Sequence, residues 1–276
     1  MEETNIDKLI EQMHKISFSI LCDIDAYCKE HDLTYYLSGG SCLGAVRHKG
    51  FIPWDHDADI MLPRKDYEKF IVGFAKTYKE KYGVSALATE PQWARQYSKV
   101  WDKETVLSEK RFDDIDRGVG VDVFPIDGLP SNKLIRKIYY KRTMLIFYLR
   151  TQMIRKGPFN KSEKLVFIKK YLRKHYGRMG ARKYALKLEK LARKYDFDSS
   201  RLVGVSMACH YGEKETIERK YMSKQVFLPF EQAQFPVVNG YDRYLKNLYG
   251  DYMKVPKGEA EYQKYLVTGW EVKTKR

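Results

Sequence analysis

Residues 39–62 read GGSCLGAVRHKGFIPWDHDADIML, and inside that stretch Asp55, Asp57 and Asp59 stand at every second position. Carboxylates set this close repel one another, so their regular spacing implies a positive partner held among them. From Asp57 to Leu62 the chain alternates: Asp57, Asp59 and Met61 share one side, and Ala58, Ile60 and Leu62 the other. That is the period of a strand, and it brings two carboxylates to one face. Upstream, "LTYYL" (33–37) reads as a strand running into Gly39-Gly40-Ser41, and residues 42–48 as a short helix ending near Gly50. A glycine turn at the head of a helix offers free backbone N–H groups to an anionic phosphate.

Working outward, Leu9, Met13, Ile16, Ile20 and Ile24 recur at three and four residues, which predicts an N-terminal helix with one buried stripe. Tyr67, Phe70, Ile71, Phe74 and Ala75 predict a second helix after Pro63. "YSKVW" (97–101) and "GVGVDVFPI" (118–126) read as strands; in the latter Val119, Val121 and Val123 share a face and Asp122 takes the other. Asp122 is thus a third inward carboxylate. Ser131 is the expected N-cap of a long basic helical region running past Gly157-Pro158 to about Tyr195. "YDRYLKNLYGDYM" (241–253) reads as a helix ended by Gly250.

Charge divides the chain. The 276 residues carry a net +15, yet residues 131–195 hold 21 Lys and Arg against Glu163 and Glu189, so the remainder is slightly acidic. A chain that is 43% hydrophobic and 14% aromatic is large enough to bury a core without disulfides. Cys22, Cys28, Cys42 and Cys209 have no C-x-x-C spacing, which suggests a reducing compartment. No apolar run reaches the length of a membrane span, and the acidic, polar N-terminus has no signal-peptide pattern. The expected location is cytoplasmic.

Two carboxylates at i and i+2 on one strand, with a third on another, make an oxygen-rich site suited to Mg²⁺, an ion that shares its ligands with substrate phosphates. A phosphate cradle beside a metal clamp points to phosphoryl-type transfer. The alternative is a tight turn followed by a solvated acidic loop.

The stretch "YYLSGGSCLGAVRHKGFIPWDHDADIMLPRKDYEKF" (35–70) resembles the LicD family, a branch of the nucleotidyltransferase superfamily related to the fukutin-type transferases. "GVDVFPIDGLP" (120–130) and "LPFEQAQFPVVNGYDRYLKNLYGDYMKVP" (228–256) agree with it. The resemblance implies an α+β, polymerase-β-like nucleotidyltransferase fold: a small mixed sheet flanked by helices. It also implies a metal-dependent phosphotransferase that moves phosphocholine from CDP-choline to a hydroxyl of a bacterial surface glycan, a teichoic acid precursor or lipopolysaccharide. Ribitol or glycerol phosphate from the corresponding CDP donor is the runner-up. The expected organisation is a catalytic core over 1–130, a basic helical insertion over 131–198, and a C-terminal part over 199–276 that packs back on the core.

Carried over by position, Gly39, Gly40 and Ser41 would contact the donor phosphates, and Asp57, Asp59 and Asp122 would hold Mg²⁺, or Mn²⁺ in its place, with Asp55 assisting. His56 stands where the family commonly has an acid, and the spacing from the glycine turn leaves Asp55–Asp57 as the alternative principal pair. The closing "EYQKYLVTGW" (261–270) departs from the usual family ending. Asp122 is the candidate to deprotonate the acceptor hydroxyl. Arg47, His48 and Lys99 are candidates for donor-phosphate contacts, and Trp54 for the quaternary ammonium of choline.

The basic segment fits three partners: nucleic acid, an anionic membrane leaflet, or a phosphate-rich, lipid-linked acceptor. No zinc finger or RNA-binding signature supports the first. The other two are compatible with each other and place the protein peripherally at the inner membrane face. A basic nucleic-acid-binding protein with structural acids is the competing class.

Overall fold

The structure is a computed structural model and describes residues 3–108, 117–156, 165–207, 211–261, 267 and 270–274. The chain opens with helix α1 (Glu3–Glu30), strand β1 (Tyr36–Leu37), helix α2 (Gly39–Arg47), strand β2 (Ala58–Pro63) and helix α3 (Arg64–Thr77). Strands β3 (Tyr82–Ser85), β4 (Ser98–Asp102), β5 (Thr105–Ser108) and β6 (Gly120–Leu129) follow. Helices α4 (Lys133–Ile154) and α5 (Val166–Ala192) form the basic region. Then come β7 (Leu202–Gly204), β8 (Ile217–Glu218), β9 (Gln225–Phe230), β10 (Ala233–Val238), helix α6 (Tyr241–Tyr249) and β11 (Glu271–Thr274).

The architecture is α+β, built on a mixed sheet in the order β1-β2-β6-β4-β3, with β7 and β8 continuing from β6. β2 and β6 run parallel at its centre; β1, β4 and β3 are antiparallel to their neighbours. Ala58, Ile60, Val100, Val121 and Val123 enter the main core together with Ile20 and Ile24 of α1 and Phe70 and Phe74 of α3. The expected stripes are therefore the buried faces of α1 and α3, with Leu9 and Ile16 only half-buried. The alternation along β2 stops after Ile60: Met61 and Leu62 are both fully buried, because β2 is an interior strand covered on both sides.

Four expectations need correcting. The predicted 33–37 strand is only Tyr36–Leu37, because the Leu33 N–H closes the end of α1 on the Cys28 carbonyl and the Thr34 N–H donates to Asp66 (3.1 Å). The N-cap of α4 is Asn132, not Ser131: its side chain accepts from the N–H groups of Leu134 and Ile135. Helix α2 begins at Gly39 rather than at residue 42, so Gly39-Gly40-Ser41 form its first turn. The basic region consists of two helices packed against each other, with α5 broken at Gly177 (φ 48°, ψ −145°).

Helices α4 and α5 contribute to four smaller apolar clusters, apart from the main core. The anchoring is ionic as well. Arg64 at the start of α3 makes a two-pronged pair with buried Asp127 of β6 (2.7 and 2.5 Å) and reaches Glu189 of α5 at 3.4 Å. One of the two acids in the basic segment thus ties it to the sheet. Among the described residues no helix is long and apolar enough to cross a membrane. Cys22, Cys28 and Cys42 are free thiols; Cys209 lies outside the described residues.

Candidate active site

The central strands carry one transverse row of polar side chains. Asp59 on β2 is the register partner of Asp122 on β6, which is the partner of Lys99 on β4. Partners in register project to the same face, so the row lies opposite the apolar residues that enter the core. At its β1 end, the Ser38 N–H donates to the Asp59 carbonyl (2.9 Å).

Ser38 leads directly into α2. Gly39 has φ +48°, a conformation that favours glycine, and its N–H donates to the Tyr244 hydroxyl of α6 (3.2 Å). A Cβ on Gly40 would lie 2.7 Å from Asp55 Oδ2, so only glycine lets this carboxylate approach the turn. The first-turn N–H groups of Gly40 and Ser41 have no acceptor among the described residues. Gly39, Gly40, Asp55, Asp57 and Asp59 line a single cavity of about 530 Å³.

Other expected site residues fall in different places. The Ser41 hydroxyl is buried and accepts the Asp59 N–H (2.8 Å), positioning the strand rather than lining the cavity. Arg47 lines it, but its guanidinium is engaged: Nη1 donates to the Tyr252 carbonyl (2.8 Å) and Nε to His48 Nε2 (2.9 Å). His48 is not in the lining; burial, then Arg47, lowers its pKa and favours the neutral ring that accepts from Arg47. Lys99 Nζ pairs with Asp122 Oδ1 at 3.0 Å, so its charge is directed at an acid of the row. Trp54 lines the cavity with its ring edge-to-face against His48 (5.8 Å between centroids).

Asp55 is a full member of the site. Burial, then the charge of Asp57 and the hydrogen bond with it, holds the Asp55 carboxyl well above the usual range. Burial again, then the charges of Asp57, Asp122 and Asp55, raises Asp59, with Lys99 acting the other way. Asp57 remains the open member, its side chain 43% exposed. Four carboxylates, with His56 in the same lining 4.0 Å from Asp57, form a mainly oxygen donor set that suits a hard divalent cation, and their mutual repulsion is the charge imbalance such an ion would offset. Among the described residues no three His, Cys, Asp or Glu side chains are drawn together as a finished ligand set, and Asp122 faces Lys99.

The far wall of the cavity comes from the C-terminal part. Tyr211, Tyr249 and Tyr252 line it together with Asp251 and Glu259. The rings of Tyr211 and Tyr249 meet at 82° with centroids 5.3 Å apart, forming an aromatic corner. Sequence reading missed Tyr249 and Tyr252, because tyrosines at helical spacing in "YDRYLKNLYGDYM" read simply as a helix; Tyr211 and Glu259 carried no motif at all. The place of Tyr249 and Tyr252 here follows from α6 docking on α2 through Tyr244, whose hydroxyl lies within 3.3 Å of Ser38 Oγ.

Residues 32–174 match the family described as LicD/FKTN/FKRP, nucleotidyltransferase domain, a span that runs from before the glycine turn through α4 into α5. Over 265 residues the chain is 28% identical to the lipopolysaccharide cholinephosphotransferase LicD of Haemophilus influenzae, covering 91% of this chain and 94% of that protein.

Proposed function

We propose that this chain, which belongs to the LicD/FKTN/FKRP family of nucleotidyltransferase domains, transfers phosphocholine from CDP-choline to a hydroxyl of a lipopolysaccharide or teichoic acid type glycan, with Mg²⁺ or Mn²⁺ bound by its acids. One observation carries the reading: the start of α2, Asp55, Asp57 and Asp59, and the aromatic corner converge on one cavity, with Asp122 beside Asp59 in the row but outside the lining. Similarity to a cholinephosphotransferase over nearly the full length supports the same choice of alcohol.

Each wall has a task in this reading. The N–H of Gly40 and the positive end of α2 receive donor phosphate, with Ser41 held just behind the wall. A diphosphate entering a cavity lined by acids needs its charge offset, and Asp55, Asp57, Asp59 and Asp122 would hold the divalent cation that does so. When bound, that ion supplies charge neutralisation of the diphosphate and of the departing CMP. Trp54, Tyr211 and Tyr249 present aromatic faces to the trimethylammonium group, with Asp251 and Glu259 adding negative potential. Asp122, with Oδ1 steadied by Lys99, takes the acceptor proton as the hydroxyl oxygen attacks the phosphorus in line and the bond to CMP breaks.

Incubating the protein with CDP-choline, CDP-ribitol or CDP-glycerol and a glycan acceptor, and following CMP release with Mg²⁺ or with chelator, tests the proposal. Release from CDP-choline that requires the cation is expected. Faster turnover of CDP-ribitol or CDP-glycerol would reassign the alcohol, and no release from any donor would overturn the reading.

A further inference from the structure

Helix α4 is apolar on two opposite faces. One packs inward through Tyr139, Tyr140, Met153 and Ile154. On the other, Leu134 (67% exposed), Ile138 (58%), Leu145 (59%) and Tyr148 (49%) face solvent. At 100° per residue these four fall within an arc of about 80°. Lys137, Lys141 and Arg142 lie within or beside the arc, all exposed and none ion-paired among the described residues. The helix carries no acid at all. A helix that only covers a core has a single apolar stripe and a polar back, so the outer stripe is unexplained by packing.

We infer that the outer face of α4 is an interfacial docking surface for an anionic lipid bilayer, whichever donor the cavity takes. The charge selects the occupant: residues 131–195 carry 21 Lys and Arg against two acids, which repels a second copy of the same face. A polyanion such as nucleic acid would match the charge but offers no apolar layer for Leu134, Ile138 and Leu145. Anionic headgroups over acyl chains match both. Arg150 and Lys169 are buried and take no part.

The surface also has a physical connection to the cavity. On its inner side α4 holds the 211–216 segment: Arg136 pairs with Glu213 at 3.4 Å, and the Thr216 hydroxyl donates to the Tyr140 hydroxyl at 3.1 Å. Tyr211 opens that segment and forms part of the cavity wall. Docking α4 on a bilayer therefore holds that wall close to the lipid surface, where a membrane-anchored acceptor would be presented.

Co-sedimentation of the full chain with phosphatidylcholine vesicles, with and without phosphatidylglycerol, tests the inference. Binding is expected only to the anionic vesicles. It should weaken about fivefold for each basic residue lost, so roughly a hundredfold in Lys137→Gln/Lys141→Gln/Arg142→Gln at low salt. Leu134→Ser/Ile138→Ser/Leu145→Ser should weaken it roughly tenfold or more with the charge intact. Tyr148→Trp should shift its emission to the blue on anionic vesicles alone. Both triple variants should keep the parent's melting temperature and its turnover of soluble donor, because every position changed is exposed and outside the cavity. Three results would each overturn the inference: no sedimentation of the parent with anionic vesicles, full vesicle binding by the serine variant, or a parent dimer that the serine variant abolishes.

Discussion

Asp59 and Asp122 sit side by side in register on the two central parallel strands, and Lys99 completes the row from the antiparallel strand beside them. Two neighbouring acids, of which Asp122 alone is paired with the Lys99 ammonium, and two more acids in front leave a net negative site. Replacing any one of Asp57, Asp59 or Asp122 by Asn keeps volume and removes a charge. Each should lower CMP release by ~10²–10³-fold. Asp59→Asn should melt at or above the parent temperature in chelator, because repulsion inside the cluster falls. Near-normal turnover in saturating Mg²⁺ would remove the residue from the site, and unfolding would mark it as structural.

Gly40→Ala places a methyl carbon 2.7 Å from Asp55 Oδ2, closer than the two atoms can approach. Either the carboxylate or the first turn of α2 must shift. The expected result is a loss of kcat/KM for the CDP donor of roughly tenfold or more with little change in melting temperature. Steady-state kinetics beside a thermal melt separate this from simple destabilisation.

Removing the aromatic corner should act through the alcohol. Tyr249→Leu should raise KM for CDP-choline by about three- to thirtyfold, the range of a cation–π contact, while Tyr249→Phe retains most of the affinity. Binding of CMP alone should not change. If CMP affinity falls in parallel, the ring stacks on the base instead.

Glu215 is buried, and burial pushes its carboxyl up to about 8. The folded chain then holds a proton that the unfolded chain releases above about pH 4.5, so stability falls as pH rises through this window, by up to roughly 1.4 kcal/mol per pH unit. Glu215→Gln removes the effect. The variant should be more stable than the parent near pH 9, by about a few kcal/mol, and the gap should close near pH 5. Urea melts at both pH values check it; a gap that widens toward acid would contradict the sign.

Arg64→Met leaves Asp127 buried without its guanidinium, and should destabilise the fold by ~3–5 kcal/mol. Arg64→Met/Asp127→Leu should recover most of that loss, since both charges are then gone. Denaturant unfolding of the single and double variants tests the pair, and equal destabilisation of the two would show that packing, rather than charge, is what Arg64 supplies.

Several features of this protein are local and so were readable from the chain itself. A period of two places Asp59 opposite Ala58 and Ile60; a period near 3.6 buries Phe70 and Phe74; Gly250, at φ +71°, ends α6 where the sequence stops being helical. The net positive charge of residues 131–195 is likewise a matter of composition. What tertiary structure alone decided is which distant residues meet. Register across β2, β6 and β4 sets Asp59, Asp122 and Lys99 in one row, where Lys99 pairs with Asp122. The docking of α6 against α2, across 205 residues from Tyr244 to Gly39, brings Tyr249 to the glycine turn. Packing of one face of α4 leaves its second apolar stripe in solvent, a distinction invisible in composition because both stripes contain the same residue types. Periodicity specifies the face a side chain takes on its own element; only the packing of elements specifies what that face meets.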